Sequence, residues 1–230
     1  MKSSIVENLE TVRAEIDEWE RRSGRDAGSV ELIAVSKTHP PEIIREAVEA
    51  GQLLFGENRV QEAKAKIPDL PAKVRWHLIG HLQTNKIRQA LPLFELIHGV
   101  DSIELLNEIQ RIAGDLGLFP KVLLQVNLAQ ESSKFGFSPQ GLLSLVDPIS
   151  RSELVQIEGL MTIPPPVSNP EDSRRYFSQL RQLRDRLKAE FQFPLPHLSM
   201  GMSGDYRVAV EEGATYVRVG TAIFGERLAK

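Results

Sequence analysis

After residue 30 the chain repeats one unit: a short apolar run, a turn, then a helical stretch. The runs are ELIAVSK (31–37), LLFGEN (53–58), VRWHLIG (74–80), FELIHGVD (94–101), KVLLQVN (121–127), VQIEGLMTI (155–163), HLSMGM (197–202) and TYVRVG (215–220). Helices are predicted between them at 41–50, 59–67, 84–90, 102–115, 139–146, 170–190 and 204–212, with a short one from Thr221. Strands this uniformly apolar are buried on both faces, which requires a parallel sheet covered by helices. About eight such units close into a (β/α)8 TIM-type barrel. The rival arrangement, an open doubly wound sheet, would carry G-x-G-x-x-G after its first strand. SKTHPPE stands there instead.

Ahead of the repeats, Ile5, Leu9, Val12, Ile16 and Trp19 recur at three- and four-residue spacings. That pattern predicts an amphipathic helix within residues 1–24, packed on the barrel. No composition break divides the chain, and TIPPPVSNPED (162–172) reads as a rigid strand-to-helix loop, so residues 1–230 are expected to form one domain. With 230 residues, 41% of them hydrophobic, the chain can bury one sizeable core. The 28 basic and 31 acidic residues are mixed, for a net charge of −3, and form no basic stripe for a nucleic-acid backbone. Cysteine is absent, which excludes disulfides, thiolate nucleophiles and Cys-containing zinc sites. Only His77 and His81 share H-x-x-x-H spacing, and HLIGH straddles a strand and a turn, so no metal site is expected. The amino terminus is charged and periodic, unlike a signal peptide, and no apolar stretch reaches the roughly 20 residues that span a bilayer. A soluble cytoplasmic protein without a membrane or nucleic-acid partner is expected.

In a barrel the chemistry gathers at the carboxyl ends of the strands. Those ends hold Lys37, Asn58, Gly80 and His81, Asp101, Asn127, Met161 and Thr162, the SMGMSGD turn from Ser199, and RVGTAIFG from Arg218. The last two turns suit a phosphate: Gly201, Gly204 and Gly220 permit close backbone approach, and Ser199, Ser203 and Thr221 add hydroxyls. Opposite them, an apolar strand ends on Lys37. A strand-end amine facing a phosphate cradle suggests an aldehyde-bearing phosphate ester held as a Schiff base. Imine formation needs the neutral amine, and desolvation or a nearby cation such as Arg218 would supply it. Lys134, in AQESSKFGF (129–137), reads as a solvated loop lysine. On the residues alone, a Schiff-base aldolase for a sugar phosphate stays open beside a cofactor-holding protein.

The segments AVSKTHP, FGENRVQE, WHLIGHLQTNK, GLMTI, LSMGMSGD and VRVGTAIFG resemble, in order and from about Glu31 to Gly225, the pyridoxal-phosphate homeostasis proteins. These are single-domain relatives of the amino-terminal barrel of alanine racemase. The resemblance implies pyridoxal 5′-phosphate (PLP) as cofactor, held on Lys37 as a Schiff base. It implies that Ser199, Met200, Gly220 and Thr221 bind the phosphate, that Arg218 faces the pyridine nitrogen, and that Asn58, His81, Met161 and Met202 line the ring. It further implies an intracellular carrier and regulator of vitamin B6 and amino-acid pools, serving PLP-dependent apoenzymes, without an established turnover reaction. A PLP-dependent amino-acid racemase is the alternative. A guanidinium cannot accept a hydrogen bond from a protonated ring nitrogen, so Arg218 would leave the ring a weak electron sink. Racemisation would also need a second acid or base. Tyr206 and His81 are the candidates, since Tyr216 falls at the far end of the barrel and Tyr176 on the outer ring. A monomer is expected, because the second domain through which alanine racemase dimerises is missing from the resemblance.

Overall fold

Eight parallel strands close on one another in chain order. They are β1 (Glu31–Val35), β2 (Leu54–Glu57), β3 (Arg75–Leu78), β4 (Leu96–Val100), β5 (Lys121–Gln125), β6 (Gln156–Met161), β7 (His197–Met202) and β8 (Tyr216–Val219). The structure is a computed structural model and describes residues 4–131 and 134–225. Closure is made by β1 and β8, paired from Glu31 with Tyr216 to Ala34 with Val219. The helices are α1 (Ile5–Arg22), α2 (Pro41–Glu49), α3 (Val60–Lys66), α4 (Ile87–Ala90), α5 (Ile103–Leu116), α6 (Pro139–Ser144), α7 (Val146–Ser150), α8 (Arg174–Phe191), α9 (Tyr206–Glu211) and α10 (Thr221–Phe224).

Side chains alternate across each strand, so one set fills the barrel and the other meets the helices. The inner set is a small apolar cluster: Ile33, Val35, Leu54, Ile79, Leu96, Leu123, Met161 and Tyr216. The outer set, with the inward faces of the helices, makes a far larger core that includes Phe55, Ile97, Leu106, Phe177 and Val217. Polar groups run through the inner barrel as well: His77, His98, Ser199 and Arg218 are all buried there.

Several boundaries differ from the sequence expectation, among them the 84–90 helix, whose first turn Thr84–Lys86 is 3-10. The predicted 139–146 helix is two short helices, α6 and α7, because Pro148 has no N–H to give the carbonyl of Ser144. The 170–190 helix opens with a 3-10 turn, Pro170–Ser173, before α8 begins. The fifth strand stops at Gln125 instead of Asn127, because the chain there pairs with its own loop: Phe137 N–H donates to Gln125 O at 2.8 Å and Asn127 N–H to Phe137 O at 2.9 Å.

The amino-terminal helix does pack on the barrel; the first three residues of the predicted 1–24 segment lie outside the described residues. A capping box starts α1, with Glu7 N–H donating to Ser4 Oγ at 3.2 Å and Ser4 N–H to Glu7 Oε2 at 2.9 Å. Its buried stripe of Leu9, Val12 and Ile16 faces α2, α9 and α10. Asn8 Nδ2 donates to Ile223 O at 2.8 Å, and buried Glu20 accepts from the N–H groups of Gly28 at 2.9 Å and Val30 at 2.6 Å. Thus α1 braces the helices that follow β7 and β8, and it fixes the chain entering β1. No described helix is long and apolar enough to cross a membrane.

Candidate functional site at the barrel mouth

The turns after β7 and β8 form one unit. Gly201 has φ +90°, and a Cβ there would lie 2.5 Å from Ala209 Cβ, so only glycine fits. Beyond it the carboxylate of Asp205 accepts from Met202 N–H and from the Ser173 hydroxyl, both at 2.8 Å, and ties the turn to the start of α8. Ser203 Oγ accepts the N–H of Gly220 at 3.1 Å and of Ala222 at 3.4 Å. Two backbone donors of the β8 turn therefore converge on an oxygen, as they would on an anion. Gly220 itself is not demanded by packing. A Cβ there would meet Val35 at 3.4 Å, an ordinary contact, so room is left at this turn.

Beneath the cradle lies Arg218, only 4% exposed. Its guanidinium donates to Ser199 Oγ at 2.5 Å and to the carbonyl of Thr162 at 2.9 Å. Burial pulls its pKa down to about 10, with Asp205 opposing, so it remains a cation at neutral pH. Among the described residues no carboxylate lies within ion-pair distance of it. A buried cation with only neutral partners is costly, and such a group marks a place where a ligand completes the charge balance.

Ser199 continues the chain inward. Its hydroxyl lies 2.9 Å from His98 Nδ1, and His98 Nε2 lies 3.0 Å from His77 Nδ1. Burial pulls His77 down to about 3 and His98 well below the ordinary range, so both are neutral at physiological pH. Because a guanidinium only donates, each contact from Arg218 through Ser199 and His98 to His77 Nδ1 pairs a donor with an acceptor when both imidazoles carry the proton on Nε2.

Lys37 stands beside this cradle and not across the mouth from it as the sequence suggested, because β1 pairs with β8 and Val35 is the side chain a Cβ on Gly220 would meet; it is half-buried in the turn after β1. Asn58, Gly80 and His81 line a cavity of about 520 Å³ at the ends of β2 and β3. His81 Nδ1 lies 2.9 Å from Asp101 Oδ2, and its ring stacks on Phe135 at 4.2 Å and 17°. Asp101 thereby sets the imidazole's orientation at the mouth.

Residues 8–228 match the family model described as "Alanine racemase, N-terminal domain". The chain belongs to this family. A pyridoxal phosphate homeostasis protein of Aquifex aeolicus is 46% identical over 97% of this chain and 99% of its own length. One from Vibrio cholerae is 43% identical over 97% of each. The solved structure of PipY from Synechococcus elongatus PCC7942 with PLP bound matches with a TM-score of 0.85 at 45% identity, covering 96% of this chain and 100% of that one. An alanine racemase of Clostridium difficile has a TM-score of 0.74 at 15% identity, over 96% of this chain and 57% of its own, a likeness of fold alone.

On this alanine racemase N-terminal barrel the predicted site residues fall into two groups. Lys37, Asn58, His81, Gly220 and Thr221 stand at the mouth, with Met202, 38% exposed, beside the 163–170 loop. Arg218, Ser199 and Met161 lie buried inside the barrel below them. Met200 packs outward against the helices, so it offers the mouth only its backbone, and Ser199 has its hydroxyl committed to Arg218 and His98. Tyr206 turns away: its hydroxyl donates to Glu15 of α1, and burial pushes its pKa up to about 12. Tyr216 sits inside the barrel against His77, His98 and His197, and Tyr176 lies buried on α8. Lys134 is exposed on its loop. His77 and His81 part company, one inside the barrel and one at the mouth, and no group of three potential metal ligands occurs among the described residues. Sequence reasoning missed the His77–His98 pair, the bridging role of Ser203, and a buried Glu57–Lys66 ion pair beside Lys37. A polar residue inside an apolar run was the available signal for Glu57, His77 and His98.

Proposed function

We propose that this chain holds PLP at the barrel mouth as a Schiff base on Lys37 and acts as an intracellular carrier and regulator in PLP and amino-acid homeostasis. The names of its full-length relatives and the PLP-bound structure of PipY support this reading. Within the chain, Arg218 carries it: a buried cation with only neutral partners, next to a turn whose N–H groups converge on an oxygen, fits an anionic ligand with a basic ring nitrogen. Bound PLP supplies an aldehyde that condenses with an amine. Lys37 supplies that amine. Gly220, Thr221 and Ser203, with the backbone of Ser199 and Met200, hold the phosphate. Arg218 faces the pyridine nitrogen, and Asn58, His81, Met161 and Met202 border the ring. The guanidinium is a donor without acceptor capacity, so it cannot keep that nitrogen protonated as a carboxylate would. Holding the cofactor is favoured over driving turnover. The working unit is the single 1–230 domain as a cytoplasmic monomer, with PLP-dependent apoenzymes as recipients.

The test is a titration with PLP, pyridoxal and Lys37→Ala protein, read by visible absorbance. A saturable band that needs both the phosphate and Lys37 is expected. A band that persists in Lys37→Ala, or equal affinity for pyridoxal, would sink the reading. The racemase alternative retains one observation, the Asp101-oriented His81 at the mouth. Incubation of loaded protein with L-alanine in heavy water separates the two. Slow α-proton exchange without D-product fits the carrier. Turnover near the median enzyme rate of about 10 per second, lost in His81→Ala, establishes the racemase.

A further inference from the structure

The chain around Lys37 is pinned by charges that the cofactor reading does not use. Ser36, fully buried, donates its hydroxyl to Glu57 Oε1 at 2.8 Å. Its carbonyl accepts from Lys66 Nζ at 3.0 Å and from His39 N–H at 3.1 Å. Thr38 stands at φ +68°, left-handed backbone that a β-branched residue adopts only where its surroundings impose it. Its N–H donates to Glu62 Oε2 at 3.2 Å. The Ser36 carbonyl belongs to the peptide before the Lys37 α-carbon and the Thr38 N–H to the peptide after it. Two side chains of α3 therefore grip both peptides that flank Lys37, and Glu57 of β2 holds the Ser36 side chain.

The grip has an ion pair at its centre. Lys66 Nζ lies 2.7 Å from Glu57 Oε1 and 4.0 Å from Glu62 Oε2, with Glu57 fully buried and Lys66 8% exposed. Burial pushes the Glu57 carboxyl up, while the Lys66 ammonium and the Ser36 hydroxyl pull it back. Its second oxygen, Oε2, is buried with no hydrogen-bond partner among the described residues. Buried pairs often stabilise no better than apolar residues of the same volume, and an unmatched oxygen makes this one poorer still. Stability does not account for it, whereas a fixed backbone at Lys37 does.

We propose that Glu57, Glu62 and Lys66 are positioning residues that fix the Lys37 backbone and so aim its amine at an incoming aldehyde. The proposal rests on the Schiff-base reading above. In the step they serve, the amine nitrogen bonds the aldehyde carbon, and the carbonyl oxygen leaves as water with two hydrogens from the nitrogen. No oxidant or reductant is needed.

Lys66→Met, Lys66→Arg and Glu62→Ala proteins are each mixed with PLP and with pyridoxine 5′-phosphate, whose alcohol cannot form an imine but whose phosphate is the same. Absorbance follows imine formation, competition follows the alcohol, and borohydride mapping reports the labelled lysine. Lys66→Met is expected to slow imine formation by roughly ten- to a hundred-fold, the range for misplacing a reacting group, and to leave affinity for the alcohol within about two-fold. Lys66→Arg should recover part of the rate by keeping the charge. Unchanged imine formation in folded Lys66→Met overturns the proposal. So does a parallel loss for PLP and the alcohol, which marks a merely structural pair. Should Lys66→Met fail to fold, Glu62→Ala, which removes the acceptor of the Thr38 N–H at a partly exposed position, decides alone: slower imine formation supports the grip, and an unchanged rate overturns it. Wild-type protein labelled away from Lys37 overturns the Schiff-base reading itself, and the proposal with it.

Discussion

At the residue scale, Gly220 and the two inner histidines are the most open to test. Packing leaves room for a Cβ on Gly220. Gly220→Val is expected to weaken PLP binding by about 1.5–3 kcal/mol, the worth of a hydrogen bond to a charged group, and to leave pyridoxal binding unchanged. Competitive titration of both ligands checks this, and thermal unfolding should hardly move because the mouth contributes little to stability. His77 and His98 make a different prediction. Their folded pKa values lie below the ordinary 6.5, so the unfolded chain binds protons that the native chain refuses. Stability from this pair is therefore complete above pH 6.5 and falls with pH, for His77 down to about 3, by about 1.4 kcal/mol per pH unit for each histidine. His197 is also lowered and acts in the same sense, while Glu57, raised by burial, opposes it. Urea midpoints between pH 7.5 and 5 should slope less in a His77→Leu/His98→Leu double variant than in the wild type; equal slopes would show that the pair is not the source.

At the element scale, α1 is the piece whose partner could not be read from its own residues. Its spacing gave an apolar stripe and the need for a surface; the contacts with α9 and α10 depend on how the barrel closes. Those contacts tie it to the two turns of the cradle, through Leu9 and Val12 in the core and Asn8 on the Ile223 carbonyl. Leu9→Ala is expected to cost about 2–5 kcal/mol of stability. It should also speed PLP release, because the turns lose their backing. Unfolding by urea and a chase of bound cofactor measure the two effects, and a stability loss without faster release would separate α1 from the site. The strands were legible because buried parallel strands are continuous apolar runs. The 139–146 helix misread for a local reason, Pro148, and β5 for a longer-range one, the pairing of its end with Phe137.

At the scale of the whole molecule, strand order was enough to bring Lys37, Asn58, His81, Gly220 and Thr221 to one rim, since every parallel strand of a barrel ends on the same face. Depth was not legible. Whether a strand-end side chain reaches the rim, the barrel axis or the helix layer depends on its parity along the strand and on the twist of its neighbours. Ser199, Met200 and Arg218, adjacent in the sequence expectation, separate for that reason. Nor could one chain segment announce that His77 meets His98, or that Glu57 meets Lys66 under Ser36, because the meeting is set by register between different elements. Cofactor holding depends on one nitrogen, Lys37 Nζ. Loaded protein reduced with borohydride, digested and mapped by mass should carry the pyridoxyl label on Lys37 alone, at close to one label per chain. A label on Lys66, Lys121 or Lys134, or none at all, would contradict it.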